Sequence, residues 1–216
     1  MRVLNDDLLE TWVTGWAQSR GYQTRREGRF PSAFLHDRTN DWEYFALEPS
    51  HDEFAALASS ARKSPERLFT IVTSRTNEIH GAALVHGLSV RSADEVFMSL
   101  EMAGQDIEDP VPLDGFETET VRGAKTGIVM VTSDGEPAAR GSVSVVNDLA
   151  VYDRIITEPR FRRRGLGTYV MRALTAVALE HDAEAGLLVA TADGLELYRY
   201  LGWENLASVV MFEPRL

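Results

Sequence analysis

The segment Thr157-Glu158-Pro159-Arg160-Phe161-Arg162-Arg163-Arg164-Gly165-Leu166-Gly167-Thr168 gathers what an anion cradle needs. A helix start leaves about four backbone N–H groups without intrahelical acceptors and carries roughly half a positive charge, so it binds phosphate readily. Gly165 and Gly167 have no Cβ to hold a ligand away from that backbone. Arg162, Arg163 and Arg164 place three cations beside it, in a chain whose net charge is -11. A pyrophosphate cradle accounts for these features together; a solvated turn is the bland alternative, and Gly-x-Gly without context is weak evidence. A nucleoside-triphosphate loop is disfavoured, because no Gly-Lys-Ser/Thr follows. One basic cluster in so acidic a chain also argues against a nucleic-acid partner.

The cradle needs a strand before it and a helix after it, and the sequence supplies both. Leu149 to Thr157 reads as a strand closed by Pro159, which cannot donate to a ladder. A helix starts near Gly165, with Leu166, Val170, Ala173, Leu174 and Val177 as its buried stripe. Upstream, Phe116 to Arg122, Gly127 to Thr132 and Gly141 to Val146 read as strands. Ser133-Asp134-Gly135 is the hairpin turn between the last two. Downstream, Gly186 to Thr191 is an apolar strand of the kind buried on both faces. A short helix carrying Leu195, Tyr198 and Leu201 follows and ends at Gly202, and Leu206 to Phe212 is a final strand. The order implies an α/β fold with a mixed, mostly antiparallel sheet flanked by helices.

In this setting Arg162-Arg163-Arg164-Gly165-Leu166-Gly167 resembles the Q/R-x-x-G-x-G/A signature of GNAT acetyltransferases. Thr157-Glu158-Pro159 matches the strand end that precedes it in that family. Leu197-Tyr198-Arg199-Tyr200-Leu201-Gly202-Trp203 resembles the family's L-Y-x-x-L-G-F/W segment. The two motifs stand in the family's order and cover about the last hundred residues. The resemblance implies acetyl-CoA as donor. It implies a pantetheine arm bound to main-chain groups of Ile155, Ile156 and Thr157, and a pyrophosphate held by Arg162 to Thr168. It also implies a small-molecule or protein amine as acceptor.

The implied chemistry is attack of an amine on a thioester. An alkylammonium with pKa near 10.4 is only about 0.04% neutral at pH 7, so a proton must be removed. The resemblance implies Tyr198 as proton donor to the leaving thiolate and Asp153 as base, with Asp148 the other candidate. By spacing alone Tyr198 is a core tyrosine and either aspartate a surface residue. Strand alternation puts Asp153 on the side of Ile155 and Thr157 unless a bulge shifts the register. The family's cofactor-contacting Asn after the fifth strand is missing here. Asp193 or Thr191 stands near its place, and Asp193 also suits an N-cap.

The first half carries no such motif. Leu8, Leu9, Trp12, Val13 and Trp16 predict a helix stopped by Gly21, and Ser50 is an N-cap for a second helix reaching about Arg62. Ala33 to His36, Tyr44 to Leu47, Phe69 to Thr73 and Ala82 to Leu88 read as strands. Gly104 to Gly115, with Pro110 and Pro112, reads as a linker. Residues 1–105 are therefore expected to form either a degenerate GNAT-like unit or an extension packed on a GNAT domain at 106–216. The chain has no cysteine, and its histidines lack ligand spacing, so no metal is expected. No apolar run approaches the roughly 20 residues of a membrane span. Acids at Asp6, Asp7 and Glu10 do not suit a leader peptide, so a cytoplasmic protein is expected. Excess acidity points toward a cationic acceptor. The residues leave a non-catalytic acyl-CoA-binding sensor or scaffold as the alternative to an N-acetyltransferase. A homodimer is compatible with either.

Overall fold

The computed structural model describes residues 3–215. Along the chain run α1 (Asp6–Arg20), β1 (Gln23–Glu27), β2 (Phe30–Phe34), β3 (Trp42–Leu47), α2 (His51–Ala61), β4 (Leu68–Thr73), α3 (Thr76–Val85) and β5 (Leu88–Glu101). After an irregular stretch come β6 (Glu117–Arg122), β7 (Thr126–Ser133), β8 (Glu136–Val146), β9 (Leu149–Thr157), a 3-10 turn at Pro159–Phe161, α4 (Leu166–Leu179), β10 (Ala185–Ala190), α5 (Ala192–Tyr200) and β11 (Glu204–Pro214). Two compact units share these elements. One holds residues 3–98 with Val189–Leu195 and residues 205–215. The other holds Ser99–Leu188 and Glu196–Glu204. The expected boundary at 105/106 falls inside the segment Ser99–Leu188, and β11 pairs with β4.

In the amino-terminal unit the strand order is β1-β2-β3-β4-β11. β3 and β4 are parallel, paired from Glu43↔Leu68 through Leu47↔Val72, the last residue of β3. β11 runs antiparallel on the other edge of β4. α1 ends at Gly21 in the left-handed conformation (φ 69), as its sequence predicts. Its Trp12 and Trp16 pack on Phe45 at ring separations of 5.6 and 5.5 Å. α2 starts with a complete capping box: Ser50 Oγ accepts from Glu53 N, and Glu53 Oε2 accepts from Ser50 N at 2.8 Å. Arg29 Nε donates to Glu53 Oε1 at 2.6 Å, and this partner chiefly holds the Glu53 carboxyl down at about 2.

One expectation fails here. Ala82 to Val85 is the end of α3, not a strand, and the strand begins only at Leu88. Ile79 and Ala83, four residues apart, are the buried face of that helix. A short apolar run is compatible with either period, and its upstream partner Ile79 lies outside the run.

In the carboxy-terminal unit the strand order is β10-β9-β8-β7-β6. Asp134 and Gly135, both at positive φ (51 and 77), make the β7–β8 turn. α4 covers one face of β7, β8 and β9. Gly127 and Gly141 lie under it, and the missing Cβ at Gly141 leaves room for Ile155 Cδ1 and Val170 Cγ1, each 2.6 Å from where it would stand. Gly141→Ala is expected to lower stability by about 2 kcal/mol through overpacking. Urea unfolding checks this, and an unchanged midpoint would mean that α4 moves aside.

Candidate functional site

β9 positions the first part of the site. It pairs with β10 only at Leu149↔Ala185, Ala150↔Gly186 and Val151↔Leu187, then runs on to Thr157. From Tyr152 onward its main chain on that side has no β10 register partner, although on the other side it stays paired with β8. Parallel strands that part in this way leave an edge to which an extended ligand can add.

A bulge lies in the same stretch. The β8–β9 register passes from Ser142↔Asp153 to Arg140↔Ile156, so Gly141 alone faces Arg154 and Ile155, and Arg154 takes φ 54. Tyr152 turns toward α4, where its hydroxyl meets Thr175 Oγ1 at 2.9 Å. Ile155 also turns toward α4, beside Val170 and Leu174. Asp153, paired with Ser142, therefore lies on the opposite face. The expectation that it shares a side with Ile155 and Thr157 is corrected, because the bulge shifts the register. Ile156, 39% exposed, shares the face of Asp153. Asp148 lies at the other end of β9, in the turn from β8, where its carbonyl accepts from Glu184 N.

The chain then turns through Pro159–Phe161 into the basic loop. Phe161 is buried against Phe116, and the guanidinium groups of Arg160 and Arg164 lie 4.7 and 5.6 Å from its ring centroid. Arg162 Nε donates to the Thr157 carbonyl at 3.4 Å. Arg163 is at φ 63 and Gly165 at φ 82, and Gly165 is the N-cap of α4 with no side chain bonded across the helix start. Left-handed residues next to a helix start turn successive N–H groups toward one point, the geometry of an anion nest. Gly167 has a second reason to be glycine: its Cβ would stand 2.8 Å from Leu197 of α5 and 3.8 Å from Thr157 Oγ1. Arg163 and Glu196 approach to 3.7 Å in full solvent, a pair worth little.

Tyr198, on α5, is 7% exposed, with its ring 6.2 Å from that of Trp203. Trp203 in turn meets Tyr152 edge-on at 5.2 Å, and Gly186 gives both rings room. Burial, with the Asp153 charge as a second cause, pushes the Tyr198 hydroxyl up to about 12. The residue thus keeps its proton through the ordinary pH range. α5 begins at Ala192, so Asp193 sits inside its first turn and not at the cap. Asp193 belongs to the other compact unit. Alternation along β9 does not by itself place the bulge, and its one sequence signal is the glycine that faces it, Gly141. The Tyr152–Trp203–Tyr198 packing had no linear signal at all.

The profile of the Acetyltransferase (GNAT) family matches residues 94–203, just over half of the chain. The chain belongs to the GNAT family. Among solved structures it is similar to a GCN5-related N-acetyltransferase from Kribbella flavida, at 18% identity with 98% of this chain and 96% of that one covered and a TM-score of 0.70. A GNAT-family acetyltransferase from Novosphingobium aromaticivorans follows at 16% identity, coverages of 94% and 95%, and a TM-score of 0.60. A tandem GNAT protein from the clavulanic acid biosynthesis pathway matches at 14% identity, 87% and 80% coverage, and a TM-score of 0.58. At such identities these likenesses show the fold, which is the mixed α/β GNAT fold. The matched curated relative, linoleate 9S-lipoxygenase 5 of Arabidopsis thaliana, is 28% identical over 114 residues. The chain spans only 12% of that relative's length. Among the described residues no His, Asp or Glu cluster is arranged to hold a metal, and no helix is long and apolar enough to cross a membrane.

Proposed function

We propose that this GNAT acyltransferase moves the acetyl group of acetyl-CoA to an amine, with its site in the carboxy-terminal unit. The observation that carries the reading is the ending of β9–β10 pairing at Val151↔Leu187, just before β9 leads into the basic loop. The residues fit such a donor. The open side of Ile155, Ile156 and Thr157 offers main-chain groups to a pantetheine arm. Arg162, Arg163, Arg164 and the first N–H groups of α4, from Leu166, Gly167 and Thr168, offer an anion nest to its pyrophosphate. The thioester supplies the activated acyl carbon. The Ile155 N–H is the donor for the oxyanion that forms as the amine attacks. Tyr198 gives its proton to the departing sulfur, and Asp153 takes the proton of the amine directly or through water.

We read the amino-terminal unit as a GNAT-like unit without a donor site. Its corresponding parallel pair, β3 and β4, stays closed to the end of β3, and its helix start is filled by Ser50 and Glu53.

The test is calorimetric titration with acetyl-CoA, of the wild type beside an Arg164→Glu, Gly167→Asp double variant. The wild type is expected to bind with micromolar affinity and the variant at least tenfold more weakly. A folded wild type that does not bind would end the acetyl-CoA reading. Binding without turnover of any amine would leave a sensor or scaffold.

A further inference from the structure

The face of β7, β8 and β9 turned away from α4 is organised in rows by the register. One row runs Glu119, Met130, Arg140, Ile156. The next runs Ile128, Ser142, Asp153, and Val121 of β6 extends it beside Ile128. Val121, Ile128, Met130 and Ile156 are each between 37% and 47% exposed, so apolar surface meets solvent on both sides of Arg140. Arg140 is itself exposed and, among the described residues, has no carboxylate partner. Deeper along β8 the same face is closed. Ser142 Oγ donates to the Asp153 carbonyl at 3.0 Å, and Ser144, 0% exposed, has a hydroxyl with no hydrogen-bond partner. The face thus has a buried polar end, a carboxylate at its middle, and at its open end a cation flanked by apolar side chains, with Glu119 beyond Met130.

Resting on the function proposed above, we propose that this face receives the acceptor, and that the acceptor is an amine with an apolar body and an anionic group, such as an apolar amino acid. Asp153 and Arg140 stand on adjacent strands, two residues apart along them. That spacing gives a Cα separation of roughly 8 Å, which the long arginine side chain closes readily. An ammonium beside Asp153 then leaves a carboxylate within reach of Arg140, in the charge-assisted geometry arginine favours. The apolar body covers Ile128, Met130 and Ile156. A polyamine placed the same way would bring a second cation to Arg140, and that repulsion selects against it. The overall acidity of the chain is therefore a poor guide to this face. The acceptor approaches an acyl group in the β9–β10 opening from the side opposite α4.

The test compares L-phenylalanine, phenethylamine and spermidine as acceptors, by thiol release from acetyl-CoA and by calorimetry on the CoA-loaded protein, for the wild type and Arg140→Gln. Phenylalanine is expected to be preferred, and Arg140→Gln is expected to reduce its kcat/KM advantage over phenethylamine about tenfold or more. Spermidine as the best acceptor, or an unchanged ratio in the variant, overturns the proposal. So does a protein that binds acetyl-CoA but neither binds nor acetylates any of the three, and that result leaves the donor site standing. Failure to bind acetyl-CoA would instead remove the underlying function.

Discussion

Tyr198→Phe is expected to slow thiol release from acetyl-CoA about a hundredfold at saturating acceptor, while the affinity for acetyl-CoA stays the same. The substitution removes one hydroxyl and keeps the ring that meets Trp203 at 6.2 Å, so packing is largely conserved. On the proposed mechanism the substitution removes the proton donor to the leaving sulfur, and general acid catalysis is worth roughly 10²–10⁴-fold. The hydroxyl holds its proton throughout the working pH range, because burial and the nearby Asp153 charge push it up to about 12. The wild-type rate should accordingly rise with pH as the amine loses its proton, and should show no falling limb below about pH 10. Single-turnover kinetics with both proteins gives the answer. Equal rates would reduce Tyr198 to the core tyrosine that its position between Leu195 and Leu201 suggests.

The features readable in the sequence were those whose cause is local. Gly21 ends α1, Ser50 and Glu53 start α2, Asp134-Gly135 turns β7 into β8, and the Arg162–Gly167 run marks a loop before a helix. Each rests on a backbone conformation that a few residues determine by themselves. The rest depends on partners far along the chain. The bulge at Arg154 is set by β8 facing β9, and it moves Asp153 to the other face. The run Ala82–Val85 is helical because Ile79 and Ala83 face the same core. The open side of β9 follows from where β10 stops pairing, and nothing within either strand's own sequence states that end point.

The second large effect concerns stability. Glu43 lies on β3 in the run Trp42–Leu47 and is 1% exposed. Thr70 Oγ1 donates to its Oε1 at 2.6 Å, and its Oε2 has no hydrogen-bond partner. Burial is the main cause that raises this carboxyl from 4.5 to about 7. Thr70, Arg38 and Arg20 act against the rise, and Glu95, itself raised chiefly by burial, adds to it. Because the folded value is raised, the contribution is fully present below about pH 4.5 and is lost as pH rises through about 7. At about 1.4 kcal/mol per unit the loss amounts to about 3 kcal/mol. Glu48 and Glu53, both held near 2, act in the opposite window and lose their contribution only as pH falls below about 4.5. Urea midpoints should therefore drop between pH 5 and pH 8 in the wild type and stay nearly flat in Glu43→Gln. An equal drop in the variant would place the pH dependence on other groups.

The return of β11 to β4 bears on how this protein could be taken apart. β11 pairs with β4 from Ser208↔Thr73 to Phe212↔Phe69, yet it follows the last motif of the family segment. A fragment ending at residue 105 would leave the apolar edge of Leu68–Thr73 uncovered, a template for intermolecular pairing. A fragment starting at 106 would carry a strand whose partner had been left behind. Dividing the gene where the motifs divide would thus yield two sticky pieces, and co-expressing them should restore solubility, because the missing strand can be supplied in trans.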